Sequence, residues 1–193
     1  MELLQYDFLR HALMAGLLAS LVCGVIGSLV VVYRIAFLAG GIAHTAYGGV
    51  GMAFYFGFSP FLGTLGVCLA SALALSGITL RRKHRSDAVV GALWAAGMAV
   101  GILFADLTPG YRADLMSTLF GSLLTVSGED LVLMAGAAVT VLGAVVWYYQ
   151  DFLALAYDEE YARTRGVATG RLHTLVLALT ALAVVVLIRV VGL

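Results

Sequence analysis

Charge is the scarcest commodity in this 193-residue sequence: 11% of residues are charged and 62% are apolar. The apolar runs are too long and too continuous for the helices of a water-soluble domain. Lysine occurs once, as Lys83 in Arg81-Arg82-Lys83-His84-Arg85, and no Gly-x-x-x-x-Gly-Lys-Ser/Thr loop exists anywhere. The chain therefore cannot cradle a nucleotide in the P-loop manner. The two cysteines, Cys23 and Cys68, both fall inside apolar runs without Cys-x-x-Cys spacing, so neither a disulfide nor a thiolate metal site is indicated and both are expected to be small core residues. Formal net charge is +0, so nothing points to a nucleic-acid partner. Glu2 and Asp7 precede Arg10, a poor match to the basic start of a cleavable signal peptide.

What is present is a series of membrane-length segments. A helix rises 1.5 Å per residue, so about 20 apolar residues cross a hydrocarbon core of ~30 Å. Ala12–Val32, Ile35–Gly57, Phe61–Leu80, Ala88–Ala105, Leu131–Gln150 and Leu172–Ile188 fit that length, with Phe58-Ser59-Pro60 splitting the second from the third. Ten-residue alternating strands of a barrel are not seen. The expected fold is all-α: a polytopic helical membrane protein of about six transmembrane helices. Leu115–Gly128, an uncharged stretch of 14 residues, suits a short outer re-entrant helix.

Basic residues orient these spans, because cytoplasmic loops retain Lys and Arg. If the spans alternate, eight fall on one side (Arg34, Arg81, Arg82, Lys83, Arg85, Arg163, Arg165, Arg171) and three, Arg10, Arg112 and Arg189, on the other. The first side is cytoplasmic and the N-terminus lies outside. Asp106, Asp114, Glu129 and Asp130 then map to the outer face, where negative charge would gather divalent cations or meet a docking protein. His11, His84 and His173 fall at span ends or in the basic loop, where the interface solvates polar tips.

Two local patterns carry chemistry. In Gly40-Gly41-Ile42-Ala43-His44-Thr45-Ala46-Tyr47-Gly48-Gly49-Val50-Gly51, an imidazole sits ten residues from Arg34, ~15 Å deep and near the bilayer midplane. Its helical neighbours at three and four residues are Gly40, Gly41, Tyr47 and Gly48. Such glycines serve close helix packing, as do the four-residue repeats Gly16-Ser20-Gly24-Ser28 and Gly97-Gly101. A deep ionisable residue is nonetheless a functional candidate, and neutral imidazole is a common transition-metal ligand. His44 is thus the candidate metal residue, with Tyr47 beside it on the pathway. The second pattern lies in the cytoplasmic loop 151–171. Residues 158–166 read as a short helix with Asp158 as N-cap, Glu159 paired to Arg163 and Gly166 as its stop.

Glu160-Tyr161-Ala162, three residues and then Gly166 resembles the loop by which ABC-importer permeases dock their ATPase. Tyr33-Arg34-Ile35-Ala36-Phe37 with Ile42-Ala43-His44, then Tyr111-Arg112-Ala113-Asp114-Leu115-Met116, Leu119-Phe120-Gly121-Ser122-Leu123-Leu124 and Glu129-Asp130-Leu131 occur in matching order. Together they resemble the permease subunit of zinc/manganese-type ABC metal importers. The resemblance implies a homodimer with the metal pathway between its copies, a separate cytoplasmic ATPase that binds ATP, and an extracytoplasmic metal-binding protein. It also implies a place in the bacterial cytoplasmic membrane. His44 matches the family's intramembrane histidine, and Asp158, Glu159, Glu160, Ala162, Arg163 and Gly166 fall in the ATPase-coupling helix. Asp106 and Asp114 are candidates for the outer mouth.

Two departures from the family pattern matter. Gly40 stands where an Asp four residues before the histidine is usual, which favours zinc over manganese or iron as the transported metal. Relatives also continue past the sixth span, so residues 1–193 are expected to form one permease domain that is C-terminally incomplete. Two alternatives remain: an ion channel or proton-coupled carrier without an ATPase, and an intramembrane hydrolase. The docking-type helix argues against the first. The second lacks a nucleophile partnered with His44 at depth.

Overall fold

The computed structural model describes residues 6–81, 86–108, 121, 123 and 126–192. Eight helices form and no strand occurs among the described residues: α1 (Asp7–Val32), α2 (Ala36–Phe56), α3 (Pro60–Arg81), α4 (Ser86–Leu107), α5 (Gly128–Trp147), α6 (Tyr149–Tyr157), α7 (Glu159–Thr164) and α8 (Thr169–Val191). Five of these, α1, α3, α4, α5 and α8, are long and apolar enough to cross a membrane. The second expected span, α2, has 21 residues and no charge, a reach of about 32 Å. It stands apart because glycines, His44, Thr45 and Tyr47 take the places of larger apolar residues. The short outer helix expected over Leu115–Gly128 falls mostly outside the described residues, and Gly128 itself opens α5.

Helix boundaries follow local chemistry. After α1 the chain turns within three residues: Tyr33 N–H bonds to Leu29 O, and Arg34 takes a left-handed φ of 56° before α2 begins. Gly57, at φ 72°, closes α2, and Pro60 opens α3, where its missing N–H costs nothing. Ser127 and Asp130 cap α5 reciprocally, Ser127 Oγ accepting from Asp130 N and Asp130 Oδ2 from Ser127 N, each at 3.2 Å. Asp130 thus serves a helix terminus, with Glu129 beside it in the first turn. The fifth apolar run, expected to continue to Gln150, breaks at Tyr148, and α6 starts one residue later.

The packing centre is α8. In its most apolar membrane-length window 56% of residues are buried, against 11% in α4. Leu177 and Val185 of α8 join Ile26 of α1, Ile42 of α2, Cys68 and Leu75 of α3, Val141 of α5 and Phe152 of α6 in one core. Cys68 packs there as expected, its thiol 3.6 Å from Ile42 O. Cys23 does not: it is exposed on the outward side of α1. The same holds for the small-residue repeat of α1. Its buried stripe is Ala12, Ala15, Ala19, Val22 and Ile26, whereas Gly16 and Gly24 have no neighbour within 4 Å of a Cβ position. Ser20 and Ser28 donate to their own helix, at Leu17 O and Val25 O. The repeat is a pattern of spacing, and spacing cannot say which side of a helix meets the rest of the chain.

Polar pairs stitch α3 to α8 at the end marked by basic residues. Ser76 Oγ lies 2.6 Å from Thr174 Oγ1, and Thr79 Oγ1 lies 3.0 Å from His173 Nε2. His173 is therefore held by a neighbouring helix rather than solvated at a span end. At the same end the Tyr33 hydroxyl donates to Phe152 O at 2.7 Å, joining the α1–α2 turn to α6. Burial pushes the Tyr33 phenol up to about 12, so it stays protonated and keeps donating.

Candidate functional site

The glycines around His44 divide by what faces them. A Cβ on Gly48 would meet Gly97 O at 2.9 Å, and one on Gly49 would meet Gly63 O at 2.6 Å. Gly51 lies against Gly101, and Gly101 in turn against Tyr47. Gly97 receives Thr45, whose Cα would lie 2.8 Å from an added Cβ. The side opposite Gly41 is the Val90 side chain, 2.5 Å from a Cβ position. These four glycines of α2 bring its backbone against α3 on one side and α4 on the other. Gly40 has nothing within 4 Å. It shares a helical face with His44, four residues on.

His44 projects along the α2–α4 seam, half-buried. Its ring stacks on Trp94 of α4, with centroids 3.9 Å apart and planes inclined by 11°. The Trp94 indole N–H donates to Met98 Sδ at 3.2 Å, one turn further along α4. Neither Trp94 nor Met98 stands out in the sequence. The register of the two helices, in which Gly97 meets Thr45 and Gly101 meets Tyr47, sets Trp94 opposite His44.

Of the sequence-derived pathway residues, His44 and Tyr47 share the α2–α4 seam. Asp106 is exposed near the far end of α4, twelve residues and so ~18 Å along the axis from Trp94. It is not brought to the imidazole. Asp114 lies outside the described residues. Among the described residues no three His, Cys, Asp or Glu side chains converge into a metal cage. Within one chain, then, His44 supplies a single imidazole at this depth.

The basic end carries the second candidate region. Asp158 Oδ1 accepts from Glu160 N at 2.8 Å and Tyr161 N at 3.2 Å, satisfying two donors at the start of α7. Arg163 binds Glu159 at 2.5 Å and Thr169 Oγ1 at 3.2 Å, tying the short helix to α8. Gly166, at φ 80°, ends the segment in a conformation that a side chain would strain. Ala162 is fully buried within the chain. The outward face is instead Glu160, Tyr161, Thr164 and Arg165, with the Arg165 guanidinium 5.9 Å from the Tyr161 ring centre. Behind α7 lies a cavity of about 330 Å³ bounded by Tyr33, Arg34, Leu80, Leu155, Glu159 and His173. It lies where the start of the short helix comes near the ends of α1, α3 and α8.

Residues 5–193 match the ABC 3 transport family. The chain is 44% identical over 192 residues to an uncharacterized membrane protein of Synechocystis sp., covering 100% of this chain and 68% of that protein. It is 31% identical over 191 residues to the manganese transport system membrane protein MntC of Halalkalibacterium halodurans, covering 99% of this chain and 65% of that one. Among solved structures it resembles PsaBC from Streptococcus pneumoniae in complex with Fab, with a TM-score of 0.84, 25% identity and coverage of 98% of this chain and 68% of that one. It thus spans about two thirds of the length of the proteins it matches.

Proposed function

The chain belongs to the ABC 3 transport family, and from that premise we propose that it is the membrane permease subunit of an ATP-driven importer for a divalent transition metal. The observation that carries this is the family match along nearly the whole chain, joined by a relative named as a manganese transport membrane protein. The metal crosses the bacterial cytoplasmic membrane between two copies of the subunit. His44 of each copy is its intramembrane ligand, since a lone imidazole per chain becomes a pair across a two-fold axis. A separate ATPase docks on the outward face of α7, around Glu160, Tyr161 and Arg165, while Asp158, Glu159, Ala162, Arg163 and Gly166 hold that helix in shape. An extracytoplasmic binding protein delivers the metal at the opposite face, where Asp106 and Asp114 attract cations.

Zinc is the favoured cargo. Imidazole suits zinc, whereas hard Mn²⁺ prefers the carboxylate oxygen that Gly40 leaves out. The relative named for manganese keeps that metal as the competitor to be measured. The deciding experiment is His44→Ala in the assembled transporter. Zinc uptake is expected to fall to background while membrane insertion and association with the ATPase persist. Near-normal uptake at equal expression would return His44 to a packing role.

A further inference from the structure

We propose that Trp94 is a positioning residue that fixes the plane of the His44 imidazole, and with it the direction from which a metal ion reaches the ring nitrogens; this rests on reading His44 as a ligand. A histidine ring turns about a broad, roughly two-fold terminal torsion, so its neighbours must choose its plane. Metal-bound histidines usually have that choice made by a hydrogen bond from the second ring nitrogen to a carboxylate or carbonyl. Here, among the described residues, no protein group hydrogen-bonds either nitrogen of His44. The orienting contact is the stack on Trp94, at 3.9 Å and 11°.

A stack of that kind covers one face of the imidazole and leaves both nitrogens on its free edge. A metal bonds in the ring plane at ~2.0–2.1 Å, so the indole dictates the plane in which the ion must sit. The indole is itself held from the other end, its N–H donating to Met98 Sδ at 3.2 Å. Sliding of the two rings past one another is opposed by the seam beside them, where Thr45 lies against Gly97 and Tyr47 against Gly101. The ligand thus belongs to α2 while its aim is set by α4. This places Trp94 and Met98 in the role that a carboxylate would otherwise fill.

The test uses the full chain in lipid nanodiscs and Zn²⁺ alone as probe. The sequence holds two tryptophans, so Trp147→Phe leaves Trp94 as the sole indole. Adding Zn²⁺ should change its emission, and His44→Gln should remove that response. By calorimetry, Trp94→Leu should weaken Zn²⁺ binding about tenfold or more, the usual scale for losing a ligand-orienting partner. Trp94→Phe, which keeps an aromatic face, should lose clearly less affinity than Trp94→Leu. Helical circular dichroism monitors folding throughout. If Trp94→Leu fails to fold, the emission response in the Trp147→Phe chain still decides. Zn²⁺ binding that depends on His44 but leaves Trp94 emission unchanged, or an unaltered affinity in folded Trp94→Leu, overturns the positioning role and leaves His44 as ligand. Equal Zn²⁺ affinity in His44→Gln and wild type overturns the ligand assignment and the positioning role together.

Discussion

At the scale of single residues, the proposed metal selection turns on two neighbours on one helical face. Gly40 and His44 are four positions apart, and the space in front of Gly40 is empty to 4 Å. A carboxylate introduced there meets no backbone, in contrast to one at Gly48 or Gly49. Gly40→Asp is therefore expected to insert normally and to add a hard oxygen beside the imidazole. Manganese transport should rise relative to zinc, read as the ratio of the two in competitive uptake. An unchanged ratio in two active proteins would remove position 40 from metal selection. The added charge also offsets part of the cost of placing a divalent ion in the hydrocarbon, so the gain should appear as a lower KM for manganese.

At the scale of elements, the short helix α7 shows how much a sequence tells and where it stops. Its cap, its Glu159–Arg163 pair and its glycine stop were legible because each depends on residues within one or two turns. Its outward face was not. Ala162 looks from spacing like a place where a partner could approach closely, yet it is fully buried against its own chain, and Tyr161 next to it is 53% exposed. A cysteine at Tyr161 should cross-link to the ATPase in the assembled transporter, whereas one at Ala162 should stay unreactive until the helix is unfolded. Cross-linking from Ala162 but not Tyr161 would reverse the proposed docking face. The spans were legible for a similar reason, since hydrocarbon selects long uncharged runs. The break at Tyr148 left no mark, because no proline or glycine stands there. The His44–Trp94 stack left none either: it joins residues of two helices, and helix periodicity carries no record of which helices meet.

At the scale of the whole molecule, α8 is the buried post and α2, α3 and α4 form a block on one flank. That block is held by backbone approaching backbone. Such contacts favour close Cα–H···O interactions, weak singly but repeated along the helices. Gly49→Ala should cost about 1–3 kcal/mol, the usual scale for overpacking a tight contact, because its methyl would enter the space of Gly63 O. Gly40→Ala and Gly16→Ala should be close to neutral. Denaturant titration in mixed micelles distinguishes these outcomes, and equal losses at Gly49 and Gly40 would contradict the packing assignment.

The same seam limits how this sequence can drift over generations. Where a side chain opposes a glycine, as Val90 opposes Gly41, a substitution has a cure: the partner can shrink. Gly41→Ala with Val90→Ala is a viable double step. Where glycine backbone opposes glycine backbone, as at Gly49 with Gly63 or Gly48 with Gly97, the partner has no atoms left to give up. Every replacement there adds volume and none on the facing helix subtracts it. Those pairs have no compensatory path, so lineages that lose one must move the helices apart rather than exchange a residue.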